Sequence, residues 1–162
     1  MNECKKQGLE NMERSICGAD CAGCDYGKGN GCNGCAKSNG CPFGKKCFIY
    51  EYIRIGGKKN YSLFKERIIE EFNSLPIAGM PKIDELFALN GAIVNLAYRM
   101  PNGSTVKLLD DNEIYLGNQV RCECDDRDSK KCFGMVAGKD FLLVCEYGEN
   151  GADAQIILYK MR

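Results

Sequence analysis

Eight of the twelve cysteines in this 162-residue chain lie between Cys4 and Cys47, and the chain has no histidine. They read Cys17-x3-Cys21-x2-Cys24, then Cys32-x2-Cys35, Cys41 and Cys47. Thiols at this density are first of all a ligand set. Zinc takes four thiolates in a tetrahedron, and a CxxC pair brings two sulfurs together from one tight turn. Cys21 and Cys24 with Cys32 and Cys35 fit one such site. Cys4, Cys17, Cys41 and Cys47 are the candidates for a second. Spacing leaves the pairing open, interleaved sites included.

The segment around these thiols has little else to hold it. Between Cys17 and Lys46 the only large apolar residues are Tyr26 and Phe43, and eight glycines fill much of the rest. Ordering a backbone costs about 1–2 kcal/mol per residue, and this stretch cannot bury enough surface to offset that. Structural zinc contributes about 10–16 kcal/mol of apparent binding free energy in small peptides, the scale required here.

Three other chemistries compete. An iron–sulfur cluster also takes four cysteines. Cys41-Pro42 resembles the end of a ferredoxin motif, but the C-x2-C-x2-C run before it is absent. Cys17-x3-Cys21-x2-Cys24 has the spacing of a radical S-adenosylmethionine loop, yet the strand-rich remainder does not suit that large barrel. Cys32-Asn33-Gly34-Cys35 is a candidate redox pair, but no apolar strand leads into it as redox CxxC motifs require. Zinc is favoured over all three.

The other cysteines say less. Cys145 alternates with Phe141, Leu143 and Tyr147 and reads as a core thiol. Cys122, Cys124 and a facing Cys132 offer three thiols without a fourth ligand. Gly27-Lys28-Gly29-Asn30-Gly31 lacks the Gly-Lys-Ser/Thr ending of a phosphate loop. The absence of histidine rules out serine–histidine and cysteine–histidine devices, and no paired-carboxylate site stands out. Closed all-thiolate coordination leaves no position for water, so a non-enzymatic role is favoured. Lys45–Arg67 carries a local charge of +5, either an anion or partner patch or ordinary solvated helix faces beside metal–thiolate centres.

Composition sets the wider frame. Charged residues make up 27% and hydrophobic ones 44%, with zero formal net charge, which describes a folded globular protein. Residues 1–75 carry +3 and residues 76–162 carry −3, too mild an asymmetry for nucleic acid. No apolar run has the length of a membrane span, and the opening residues have no secretory pattern. A reducing cytoplasm is expected, where clustered cysteines bind metal or catalyse rather than form disulfides.

The elements that must position the thiols change character along the chain. Cys47–Ile55 reads as a short helix stopped by Gly56-Gly57. A second helix is predicted from near Asn60 to before Pro76, with Phe64, Ile68, Phe72 and Leu75 on one face. Pro76–Pro81 is a natural link. Beyond it the period becomes two: strands are predicted over 92–99, 105–109, 114–116, 119–124, 132–137, 141–147 and 155–160, with a turn at Pro101-Asn102-Gly103. The expected fold is α+β: a cysteine-rich, metal-stapled module with two helices over residues 1–75, then an antiparallel β-meander over 76–162, a curled sheet or small barrel.

The run Ile16-Cys17-Gly18-Ala19-Asp20-Cys21-Ala22-Gly23-Cys24, then Gly31-Cys32-Asn33-Gly34-Cys35, Cys41 and Cys47, resembles the bacterial family catalogued as domain of unknown function 3795. Its members share a CGxxCxxC opening and a CxGC element and are taken to bind zinc. The resemblance covers about residues 15–60 and implies Cys17, Cys21, Cys24, Cys32, Cys35, Cys41 and Cys47 as ligands. Many members carry further cysteines where this chain reads Gly56–Tyr61, so a second complete site would draw on Cys4. The family has no established activity. The expected function is therefore cytoplasmic zinc binding, one or two ions in a structural role, supporting interaction with a protein or small molecule. The alternative is an iron–sulfur redox protein, and a nucleic-acid-binding zinc module ranks third.

Overall fold

In the computed structural model, which describes residues 16–17, 34–94, 96–122, 131–147 and 154–162, the helices are α1 (Gly34–Lys37), α2 (Phe48–Asn73) and α3 (Gly91–Val94). The strands are β1 (Phe87–Asn90), β2 (Ala97–Arg99), β3 (Thr105–Lys107), β4 (Ile114–Cys122), β5 (Lys131–Ala137), β6 (Phe141–Tyr147) and β7 (Gln155–Met161). The α+β class holds. The chain forms two compact units, one of Met1–Leu63 with Asn112–Ile114, the other of Phe64–Asp111 with Tyr115–Arg162.

Helix formation follows the sequence pattern with one correction. The two separate helices expected are one helical element, α2, broken only at Gly57, where φ is 75° and ψ 174°. That left-handed φ suits glycine, so the predicted stop is a kink. After it, Phe64, Ile68 and Phe72 are buried while Glu66 and Glu70 are exposed, as the helical period requires. Asn73 then ties down the following segment: its side-chain amide donates to the Ile83 carbonyl and accepts from the Ile83 N–H, both at 2.8 Å.

In the second unit β4, β5, β6 and β7 form an antiparallel meander. The sheet order is β1-β4-β5-β6-β7, and β2 and β3 make a separate ribbon. The curled sheet or small barrel expected from the sequence is not what forms. β1 and β7 are both edges of an open five-stranded sheet, and a barrel has none. Gly117-Asn118 does not separate two strands but lies inside β4. Residues 91–94 form a helical turn instead of part of a strand.

Both faces of the sheet are buried at its centre. On one, Tyr115, Val136, Leu143 and Cys145 cluster with Leu96, Leu109 and Ala154. On the other, Leu116, Met135, Leu142 and Val144 are at most 1% exposed. Arg162 fixes the end of β7 to α2, pairing with both Glu71 carboxylate oxygens at 2.9 and 3.2 Å and lying 5.7 Å from the centre of the Phe64 ring.

Cys145 is the core thiol its alternation predicted, and burial pushes it from its ordinary 9.0 up to about 11. Between those values the native thiol keeps its proton while the unfolded one gives it up. Stability therefore falls as pH rises through that window. Urea midpoints at about pH 8 and about pH 10.5 should drop further in the wild-type protein than in Cys145→Ala. An equal drop in both would refute the assignment.

Candidate metal centre

The first unit builds its thiol region from backbone turns. α1 ends in a Schellman-type cap: the Gly40 N–H donates to the Cys35 carbonyl at 2.9 Å, and Asn39 adopts φ 51°. Asparagine tolerates this left-handed position better than most residues. The Ser38 hydroxyl donates back to the Gly34 carbonyl. Cys41-Pro42-Phe43-Gly44 then makes a turn, with the Gly44 N–H on the Cys41 carbonyl at 3.0 Å, proline and glycine occupying positions that favour a type I turn. The Cys47 N–H closes the loop on the Gly40 carbonyl at 2.8 Å, and the Cys47 carbonyl accepts the Glu51 N–H at 3.2 Å to start α2.

These bonds gather Cys35, Cys41 and Cys47 within one cluster of turns. Cys47 is buried at the helix entry. Burial pushes its thiol up, the Tyr50 and Ile49 N–H groups pull it down, and the nearby Cys17 thiol and Glu51 carboxylate push it up again. Cys17, thirty residues earlier in sequence, thus lies close enough to act on Cys47 electrostatically. Tyr61 joins them: burial raises its phenol well above the ordinary value, and Cys17 and Cys47 add to that. The sequence pattern did not single out Tyr61, because an aromatic on a helix reads as ordinary core.

Of the eight predicted ligands, Cys17, Cys35 and Cys47 are not joined in disulfides. Cys41 is buried and disulfide-bonded, a form in which its sulfur is no thiolate donor until reduced. Cys4, Cys21, Cys24 and Cys32 lie outside the described residues. Among the described residues no three Cys, Asp or Glu side chains converge as a metal-holding group. The donor chemistry of the described members, soft sulfur in a sheltered turn cluster, fits a thiophilic ion. The three-thiol reading of Cys122, Cys124 and Cys132 gains nothing from the register. Cys132 pairs with Arg121 and Cys122 with Lys131, one position out of step, and Cys124 lies outside the described residues.

Gly40 is the position on which this cluster depends most closely. It has φ 81°, and a Cβ there would overlap the Tyr50 ring; Gly44 has the same φ with open space around it. Gly44→Ala should cost only the backbone strain, about 1–2 kcal/mol, whereas Gly40→Ala should cost clearly more by thermal unfolding. Equal losses would show that the ring contact contributes nothing.

A last structural fact bears on placement. Among the described residues no helix is long and apolar enough to cross a membrane. Compared with known proteins, the chain matches no family model, no curated protein and no solved structure. The family likeness of its sequence therefore rests on the cysteine spacings alone.

Proposed function

We propose that the protein binds zinc in a reducing compartment, the cytoplasm, and that the metal is structural. One or two ions would be held by thiolates drawn from Cys17, Cys21, Cys24, Cys32, Cys35, Cys41, Cys47 and Cys4. Zinc would supply a cross-link in place of a hydrophobic core, leaving an interaction or ligand-binding role to the surfaces it orders. The observation that supports this reading is that Cys17 lies within electrostatic reach of Cys47, which the Gly40 hydrogen bond ties to the turns after α1. Thiols thirty residues apart in sequence share one neighbourhood, although no three donors converge among the described residues. In a reducing compartment the Cys41 disulfide opens and its sulfur joins the available donors.

Protein purified without oxygen and analysed for metal tests the reading. A colourless sample with about one or two zinc ions per chain is expected. A brown sample with stoichiometric iron and acid-labile sulfide would replace it with the iron–sulfur alternative. Binding to DNA or RNA that weakens steeply with salt would favour the nucleic-acid module instead.

A further inference from the structure

We propose that a cleft beside the Cys35–Cys47 turns binds a phosphate-class oxyanion, either the free ion or the head of a small phosphomonoester. The cleft has a volume of about 280 Å³ and is lined by Asn39, Gly40, Lys46, Tyr50, Glu51 and Arg54. This is the small end of ligand sites, too small to enclose a nucleotide and sufficient for one tetrahedral anion. No cysteine lines it, so the anion would be held by groups other than the proposed zinc ligands.

The walls are set by the turn geometry already described. Asn39 holds the left-handed position of the α1 cap, and the Tyr50 ring lies against Gly40, where no side chain would fit. The Tyr50 hydroxyl donates to Asn39 Oδ1 at 3.3 Å. That bond uses the acceptor end of the amide and leaves its N–H donors for another group. Tyr50 and Arg54 are four residues apart on α2 and Glu51 and Arg54 three, so the three side chains share one helix face.

The charges favour an anion. Lys46 and Arg54 face a single carboxylate, Glu51, so the lining carries +1. Lys46 holds Glu51 only loosely, at 3.9 Å, with both side chains over a third exposed. Among the described residues the Arg54 side chain makes no ion pair or hydrogen bond. Its planar fork matches a tetrahedral oxyanion through two parallel N–H bonds, and Lys46 adds a point charge. A dianion gains from both cations at once, whereas a carboxylate carries half the charge, which selects phosphate over carboxylate. Glu51 opposes binding and sets a modest affinity. The local excess of positive charge over Lys45–Arg67 then has a focus, in place of a uniformly solvated helix face.

The test is a titration of the full chain at low ionic strength with inorganic phosphate, phosphoserine and acetate, followed by NMR at the Arg54 Nε–H and the Asn39 side-chain amide. Phosphate or phosphoserine should shift both signals, with acetate about tenfold weaker or worse. Arg54→Gln should weaken binding about tenfold and Lys46→Gln somewhat less. Glu51→Gln should tighten it about twofold. Lys58→Gln, outside the cleft, should leave it unchanged. Tighter binding of phosphoserine assigns the ester, and tighter binding of phosphate assigns the free ion. Absence of shifts at about 20 mM phosphate, acetate binding as well as phosphate, or an equal loss in Lys58→Gln would each overturn the proposal.

Discussion

If zinc is bound as proposed, removing it from protein kept reduced is expected to unfold the thiol region of the first unit while the five-stranded sheet survives. The reason lies in how unequally apolar burial is distributed. Among the described residues of the first unit, the buried hydrophobic side chains are Cys41, Cys47, Ile49, Ile53 and Tyr61. The second unit buries both faces of its sheet and the Phe64–Phe72 stripe. A metal contribution of about 10–16 kcal/mol is as large as the whole stability of a typical domain, about 5–15 kcal/mol. The Gly40, Cys47 and Glu51 amides, whose hydrogen bonds define the turn cluster, should lose exchange protection by at least about a hundredfold on chelation. Amides of β5 and β6 should keep theirs. Loss of protection in both sets together, or in neither, would sink the idea that metal substitutes for a core in this unit alone.

Phe72→Ala is expected to destabilise the second unit by about 3–5 kcal/mol. Phe72 has no exposed surface and is among the largest fully buried side chains, so its truncation leaves a cavity as well as losing transfer energy. With a urea slope of about 1–3 kcal/mol per molar, the midpoint followed by far-UV circular dichroism should fall by more than about 1 M. Ile55→Ala is the matched control. Ile55 is 81% exposed on the same helical element, and a surface substitution of this kind should stay within about 0.5 kcal/mol. Similar losses in both variants would mean that Phe72 does not anchor the helix to a packed core.

The contrast between those two residues shows what was legible in the chain. The sequence placed Phe64, Ile68 and Phe72 on one face because helical periodicity is local, and it marked Gly57 because no other residue takes its φ so readily. Strands β5, β6 and β7 were readable for the same kind of reason: alternating apolar residues between polar turns. Apolar alternation over residues 92–99 read as one strand, but only Ala97–Arg99 form one, and Gly91–Val94 is a helical turn. There, Gly91 sits where a Cβ would overlap the Asp110 carbonyl, and Asn90 donates to the Asp111 carbonyl. Contacts about twenty residues away decide that turn. Gly117-Asn118 carries a turn signature, yet a Cβ at Gly117 would come within 3.3 Å of the Met135 carbonyl across the sheet, and the Asn118 amide donates to the Glu85 carbonyl at 2.7 Å. Close strand approach overrode the local signal.

By itself, then, the sequence determined the chemistry on offer: a thiol-rich segment without a core, a helical stripe and a meander, because residue type and short periods are properties of neighbours in the chain. Tertiary structure alone decided which groups meet. It left the sheet open, since closure depends on whether the first and last strands pair, and put Cys132 and Cys122 out of step through strand register. It also brought Cys17, Cys47 and Tyr61 within electrostatic reach of one another and gathered Asn39, Lys46 and Arg54 around one cleft. Each of those outcomes follows from packing between residues far apart in sequence, which no local pattern encodes.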